Sequence, residues 1–258
     1  ELELYAVDSR TGALRRVPRS LLELIGFEKE LGLHNAEMQT SPQPLNSYGL
    51  AAQLAELRAN LAPAIDRTAA ENIRLVSDGM WTVPPNGETA RGYLRDTVLE
   101  GGVTIAVNMS DSVRYHAMGN TDYPAACRLE TPHVSLSADT VLPESLITSI
   151  QPHYQVPHAP DLPEHFAYAL RVAGPLLALG VNSPFFPPDL YDDAPDLAIV
   201  EDARMENRIG VFESVLNPAG DAGRKVCFPS EFETIDGAID DVASDHTIVP
   251  TEVETGGR

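Results

Sequence analysis

Three groups of residues have types and spacings that could do chemistry. Glu1-Leu2-Glu3 places two carboxylates at i and i+2, and on a strand these leave the same face about 7 Å apart. Magnesium is a hard cation that takes oxygen ligands at about 2.0 to 2.1 Å, so such a face could hold Mg²⁺ and a nucleotide's phosphates without a glycine-rich loop. A solvated strand face is the plainer reading, and spacing alone leaves both open. Ser149, Gln151, His153 and Gln155 alternate with Ile150, Pro152, Tyr154 and Val156. On a strand, one face would present an imidazole between two carboxamides, able to exchange hydrogen bonds with an amino acid or a nucleotide. The same alternation also describes the polar outer face of an antiparallel sheet, near an edge because of Pro152. In the third group, Arg208 and Glu213 bracket Ile209-Gly210-Val211-Phe212. The guanidinium could clamp a phosphate or carboxylate while the glutamate holds metal; both could equally be surface charges.

Other chemistries lack their motifs. The sequence contains no GxGxxG, GxxxxGK[ST], HExxH or GxSxG, which removes the easily read dinucleotide, P-loop, zincin and serine-hydrolase mechanisms. Cys127 and Cys227 form no CxxC pair, so neither a disulfide framework nor a thiolate zinc site is indicated, and a reducing, cytoplasmic location is expected. The longest apolar run, Val172 to Phe186, is broken by Gly174, Pro175, Gly180 and Pro184. It falls short of the roughly 20 clean residues a membrane span needs.

Charge bounds the partners. With 38 acidic and 18 basic residues the formal net charge is -20, which disfavours binding to nucleic-acid phosphates. All basic residues except Lys29 and Lys225 are arginines. The combination is that of a salt-adapted protein, because in molar salt the Debye length falls to about 3 Å and surface carboxylates cease to repel one another. Most of the acids are then solvation, and only position distinguishes a functional one.

Elements must position these residues. ELELYAVD alternates and meets the turn signal Ser9-Arg10-Thr11-Gly12, which predicts an edge or half-buried strand. A short helix started by Ser20 is expected over Pro18 to Leu31, a second strand over Leu33 to Thr40, and a breaker at Ser41-Pro42-Gln43-Pro44. Leu50, Leu54, Leu57, Leu61 and Ile65 recur at helical spacing, predicting a long amphipathic helix from Tyr48 to Leu75 with a kink at Pro63. Long loops with short elements are expected from Pro84 to Pro143, and an extended segment from Ser145 to Val156. A helix is expected from Pro163 to about Leu179. Strand-like runs follow at Ile209 to Leu216 and Lys225 to Phe228, then a terminal helix at Phe232 to Val242. Strands and helices do not alternate regularly, so the fold class expected is α+β, in a single domain over residues 1–258. The first residue is Glu1 rather than Met, so the domain is expected to lack its extreme N-terminus, and a C-terminal, substrate-binding part is expected to be shortened.

Several segments together resemble a known family. Glu1-Leu2-Glu3-Leu4-Tyr5-Ala6-Val7-Asp8 followed by Arg10-Thr11-Gly12 is similar to the opening strand of the glutamate-cysteine ligase type 2 family, the carboxylate-amine ligases. His34-Asn35-Ala36-Glu37-Met38-Gln39-Thr40-Ser41-Pro42 resembles its second acidic strand. Ser149 to Val156 resembles its central strand, and Ala178-Leu179-Gly180-Val181-Asn182-Ser183-Pro184-Phe185 its ALxxNSPF signature. Arg208-Ile209-Gly210-Val211-Phe212-Glu213 is similar to a later segment of archaeal members. These stretches cover about a quarter of the chain and make it look like a halophilic archaeal member.

The resemblance implies a glutamine-synthetase-like funnel: an antiparallel sheet with an acidic concave face and helices packed behind it. It implies an enzyme that activates the γ-carboxylate of glutamate with ATP and Mg²⁺ and couples it to an amine, cysteine being the expected acceptor, as in thiol biosynthesis. Under it, Glu1, Glu3 and Glu37 are metal ligands. Gln151, His153 and Gln155 face the nucleotide or metal, and Arg208 stabilises charge on the transferred phosphoryl group. Asn182 and Ser183 are expected either to shape the pocket or to cap the helix end, the structural role being preferred. The departures are the poorly matching region 84–143, where acceptor choice should reside, and the absence of a late Arg/Glu strand. A catalytically silent relative that senses a nucleotide or amino acid is the alternative.

Overall fold

The computed structural model describes residues 1–24, 26–113, 115, 127–217, 226 and 228–244. Its architecture is α+β with small antiparallel sheets. Four strands, β1 (Leu2–Asp8), β2 (Glu28–Lys29), β3 (Asn35–Met38) and β4 (Ile73–Val76), form one sheet in the order β2-β3-β1-β4. β1 is therefore paired on both sides, the half-buried rather than the edge strand of the two expected alternatives. It ends where the Asp8 Oδ1 accepts from the Arg10 and Thr11 amides, both at 3.0 Å, closing a turn that Gly12 completes at φ 73°.

The pleat of β1 divides its side chains between two cores. Leu4 and Ala6 join Ala36, Met38 and Ile73 against helices α1 (Arg19–Leu24) and α2 (Ser47–Ala69), through Leu21 and Ala64. Tyr5 and Val7 point the other way, into a larger core built on Trp81, Leu94, Leu129, Leu142 and Leu146. The face that is core at Val7 and Tyr5 thus emerges as carboxylates at Glu3 and Glu1.

α2 is capped by Asn46, whose Oδ1 accepts from the Tyr48 and Gly49 amides at 3.0 Å. Its extent differs from the expected Tyr48–Leu75. The helix runs through Pro63 and stops at Ala69, Asn72 turns the chain at φ 57°, and Ile73–Val76 becomes β4. Leu50, Leu54 and Ile65 lie exposed, whereas Leu57 and Leu61 pack on the core. The periodicity was real but only part of its stripe is covered. The first helix is likewise shorter than expected, because the chain leaves it to form β2.

Region 84–143 carries the short elements expected among its loops, and several of them pair into hairpins. It holds α3 (Ala90–Arg95), the hairpin of β5 (Thr97–Glu100) and β6 (Val103–Ala106), and the hairpin of β7 (Cys127–Thr131) and β8 (Val134–Ala138). A 3-10 helix follows at Leu142–Leu146. Tight turns close the hairpins: Gly101 and Gly102 both have positive φ between β5 and β6, and His133 at φ 61° follows Pro132 between β7 and β8. Beyond come α4 (Leu162–Gly180), α5 (Asp196–Glu201), α6 (Arg208–Leu216) and α7 (Ile235–Ala243).

The strand expected at Ile209 to Leu216 is the helix α6. Gly210, Val211 and Val215 are buried at helical spacing while Glu213 is exposed. Helices α4 and α7 match the expected ones near Pro163–Leu179 and Phe232–Val242. The run at Lys225 to Phe228, His116, Cys227 and the C-terminal segment lie outside the described residues, apart from Val226 and Phe228. Among the described residues no helix is long and apolar enough to cross a membrane.

Candidate active site

β1 and β3 are antiparallel with Glu3 opposite Glu37 and Tyr5 opposite Asn35, so Glu1, Glu3, Asn35 and Glu37 share one face. The segment after the 3-10 helix lies along the other edge of β1's first residues. Leu2 bridges Ile150, the Glu3 amide donates to the Ser149 carbonyl at 3.0 Å, and the Gln151 amide donates to the Glu1 carbonyl at 3.0 Å. Residues 145–156 are therefore extended only in part: Ser145 and Leu146 belong to the 3-10 helix, and pairing is limited to isolated bridges at Ile147 and Ile150.

This docking fixes the side chains. Both oxygens of Glu3 are held, Oε2 by the Ser149 amide at 2.7 Å and Oε1 by the Gln151 carboxamide at 2.6 Å. Burial nonetheless pushes the Glu3 carboxyl above its usual range, helped by the charge of Glu30. His153 Nε2 meets Glu1 Oε2 at 3.0 Å, and this contact holds the Glu1 carboxyl below its usual range. His153 remains largely exposed. Gln155 is exposed as well and makes no hydrogen bond among the described residues.

Glu37 is the most perturbed acid. It is only 8% exposed, and its Oε1 has no hydrogen-bond partner among the described residues. Burial pushes its carboxyl up to about 7, and the neighbouring Glu30 and Glu1 add to the effect. A buried anionic oxygen without a donor is costly unless a proton or a cation shares it. Asn35 Oδ1, on the same face, is a second buried acceptor without a partner.

Glu30 was not anticipated. Since β2 pairs with β3 with Glu28 opposite Glu37, Glu30 follows Glu28 by two residues toward the same cluster, and its Oε2 accepts from the Leu31 amide at 2.9 Å. The available signal was Glu28-Lys29-Glu30, the same i, i+2 acidic pattern as Glu1-Leu2-Glu3. A helix expected across Pro18 to Leu31 concealed it.

Arg208 and Glu213 are not brought to this cluster. Arg208 begins α6 and donates through Nε to Glu206 Oε1 at 2.8 Å, through Nη1 to the Thr148 carbonyl at 3.0 Å and through Nη2 to the Gly180 carbonyl at 3.0 Å. Burial raises the Glu206 carboxyl, but the Arg208 guanidinium outweighs it and holds the group below its usual range. Arg208 thus ties the end of α4 to the segment carrying Ser149 and Gln151. Glu213 lies five residues along α6, roughly 140° around the helix, and makes no polar contact with the cluster among the described residues. Asn182 and Ser183 sit beyond α4 against Gly79, where a Cβ would lie 2.4 and 2.3 Å from their oxygens.

The oxygen-only donor set, the crowding of like charges and the orphaned Glu37 Oε1 suit a hard cation. Among the described residues, however, no group of three or more His, Cys, Asp or Glu side chains stands ready-made around a metal position. Glu3 keeps lone pairs to offer, since each carboxylate has about four acceptor sites and two are taken here.

A family model described as Glutamate-cysteine ligase family 2 matches residues 1–257. The chain belongs to glutamate-cysteine ligase family 2. Membership makes it a ligase-type enzyme of the carboxylate-amine class, acting on small molecules. No curated protein and no solved structure matched the chain. In this family 2 ligase the acidic face of β1 and β3, with Ser149, Gln151 and His153 across its edge, is the candidate active site.

Proposed function

We propose that the protein couples the γ-carboxylate of glutamate to an amine, with cysteine the leading acceptor, using ATP and Mg²⁺ on the face formed by Glu1, Glu3, Glu30 and Glu37. The observation that carries this is the buried, unpartnered Glu37 Oε1 facing Glu3 across the strand pair. Family membership supports the reaction class. The sheet is then the floor of a glutamine-synthetase-like funnel, with α1 and α2 behind it.

Those four carboxylates would hold Mg²⁺, which when bound neutralises charge on phosphate oxygens. Gln151 and the Ser149 amide orient Glu3, and His153 orients Glu1. Chemically, a glutamate γ-carboxylate oxygen attacks the γ-phosphorus of ATP as the bond to ADP breaks, giving an acyl phosphate. The amine nitrogen then attacks the acyl carbon, the bond to phosphate breaks, and the amine loses a proton. Such transfers need positioning and charge neutralisation more than covalent help from the protein. Arg208 contributes by holding Thr148, and through it the strand that orients Glu3; Gln155 and Glu213 would enter only if bound nucleotide drew them in.

The test is phosphate release in molar-salt buffer with ATP, Mg²⁺, glutamate and a panel of amines. Amine-dependent release supports the proposal, and its absence from folded protein overturns it. The full internal engagement of Arg208 favours a second reading, a relative that binds nucleotide or amino acid as a sensor. Calorimetric ATP binding with no turnover on any amine would select it.

A further inference from the structure

A second concavity lies away from the acidic face, between the segment after β1 and the loop leading into α3. Its volume is about 540 Å³, within the roughly 300 to 1,000 Å³ of small-molecule sites. Its floor is Tyr93 and Asn108, buried and fixed by a 3.0 Å bond from the Asn108 carboxamide to the Tyr93 carbonyl. Leu14, Val17, Ile73 and Pro85 supply apolar wall.

Four charged side chains line it: Arg15, Arg16, Glu71 and Glu88. Two are already committed, Arg15 to Asp8 at 3.1 Å and Glu71 to Arg67 at 3.5 Å. Arg16 and Glu88 are exposed, and neither takes part in an ion pair among the described residues. The only hydrogen bond from the Arg16 side chain among the described residues reaches Asn108 Oδ1 at 3.5 Å, the outer limit for such a bond. Arg16 and Glu88 thus line the same cavity as Tyr93 and Asn108.

We propose that this cavity binds a free α-amino acid with an apolar side chain, its carboxylate on Arg16 and its ammonium on Glu88. A guanidinium binds a carboxylate through charge-assisted, two-pronged hydrogen bonds. The glutamate offers the complementary charge to the ammonium, and the aliphatic wall takes the side chain. One side chain of each sign lining the same cavity as an apolar wall matches a zwitterion with an apolar side chain and disfavours a simple anion, which Glu88 would repel.

The experiment is calorimetric titration of the full chain in low-salt buffer with L-leucine, 4-methylpentanoate and isoamylamine. The last two lack the ammonium and the carboxylate respectively. Leucine should bind at least tenfold more tightly than either. Arg16→Gln and Glu88→Gln should each weaken it at least tenfold with unchanged circular dichroism, while Glu37→Gln on the acidic face leaves it unaltered. Equal binding of 4-methylpentanoate, leucine binding that survives both cavity variants, or no binding of leucine would each overturn the assignment. None of these outcomes bears on the ligase reading, which is tested by phosphate release.

Discussion

Glu3 of β1 and Glu37 of β3 stand directly opposite one another across an antiparallel strand pair. Like charges in that relationship are destabilising, and the Glu37 carboxyl is pushed up to about 7 by burial and then by the neighbouring Glu30 and Glu1. A carboxyl whose folded pKa lies above its unfolded one gives its full stability below the unfolded value of 4.5 and loses it as pH rises through about 7. The midpoint of Glu37→Gln should therefore exceed that of the native chain increasingly from pH 5 to pH 8, by on the order of a few degrees. Mg²⁺ should narrow the gap. Thermal scans of both proteins across that range, with and without Mg²⁺, check it.

His34 acts in the opposite direction. It is fully buried, with Nδ1 2.9 Å from Tyr93 Oη and Nε2 2.8 Å from the Ser145 carbonyl, which also accepts from Trp81 Nε1 at 3.1 Å. Burial pushes the imidazole down to about 4. A base depressed on folding contributes stability that is full above 6.5 and lost as pH falls toward 4. His34→Leu should flatten that acid limb and cost about 1 to 3 kcal/mol at neutral pH, because the Tyr93 hydroxyl loses its acceptor. Urea unfolding at pH 4.5 and 7.5 measures both effects.

Gln151 separates orientation from charge. Its carboxamide donates to Glu3 Oε1 at 2.6 Å. Gln151→Leu leaves the four carboxylates in place but releases one oxygen of Glu3. Activity should fall about 10- to 100-fold, the usual consequence of losing a partner that orients a ligating group, and Gln151→Asn should recover little because its side chain is one methylene shorter. Steady-state kinetics across the two variants decides this.

Arg208 and Glu206 form a largely buried pair, with side chains 17% and 5% exposed. Arg208→Ala leaves Glu206 without its counter-charge and should destabilise the fold by about 3 to 5 kcal/mol. Arg208→Lys keeps the charge but cannot reproduce the bonds to Glu206, Thr148 and Gly180 together. It should fold and lose turnover by displacing the Thr148 strand. Unfolding by urea reads the first effect and kcat of the lysine variant the second.

Period-two alternation made the acidic face of β1 legible through Glu1 and Glu3; β3 was legible as a strand, and its Glu37 stood out through the resemblance of His34 to Pro42 to a family segment. Gln151 and His153 stood out as an amide and an imidazole at the same period, and the structure sets them against Glu3 and Glu1. The sequence misled where a pattern is satisfied by two structures. Ile209 to Val215 reads as a β-branched run and folds as a helix, because Gly210, Val211 and Val215 meet the core. Region 84–143 was legible only as short elements among loops, because the pairing of its hairpins across the Gly101-Gly102 and Pro132-His133 turns leaves no long alternating run. Glu30 was invisible because one short helix, wrongly extended, covered β2. Spacing could not reveal that Arg208 is consumed internally, since its partners come from Thr148, Gly180 and Glu206, distant segments for the most part.

The most direct test of the acidic face is calorimetric titration of a non-hydrolysable ATP analogue into the native chain and into Glu37→Gln, each with and without Mg²⁺. Nucleotide binding that requires Mg²⁺ and weakens at least tenfold in the variant, about 1.4 kcal/mol, is the expected result. Binding that is indifferent to both the cation and the substitution would contradict the account.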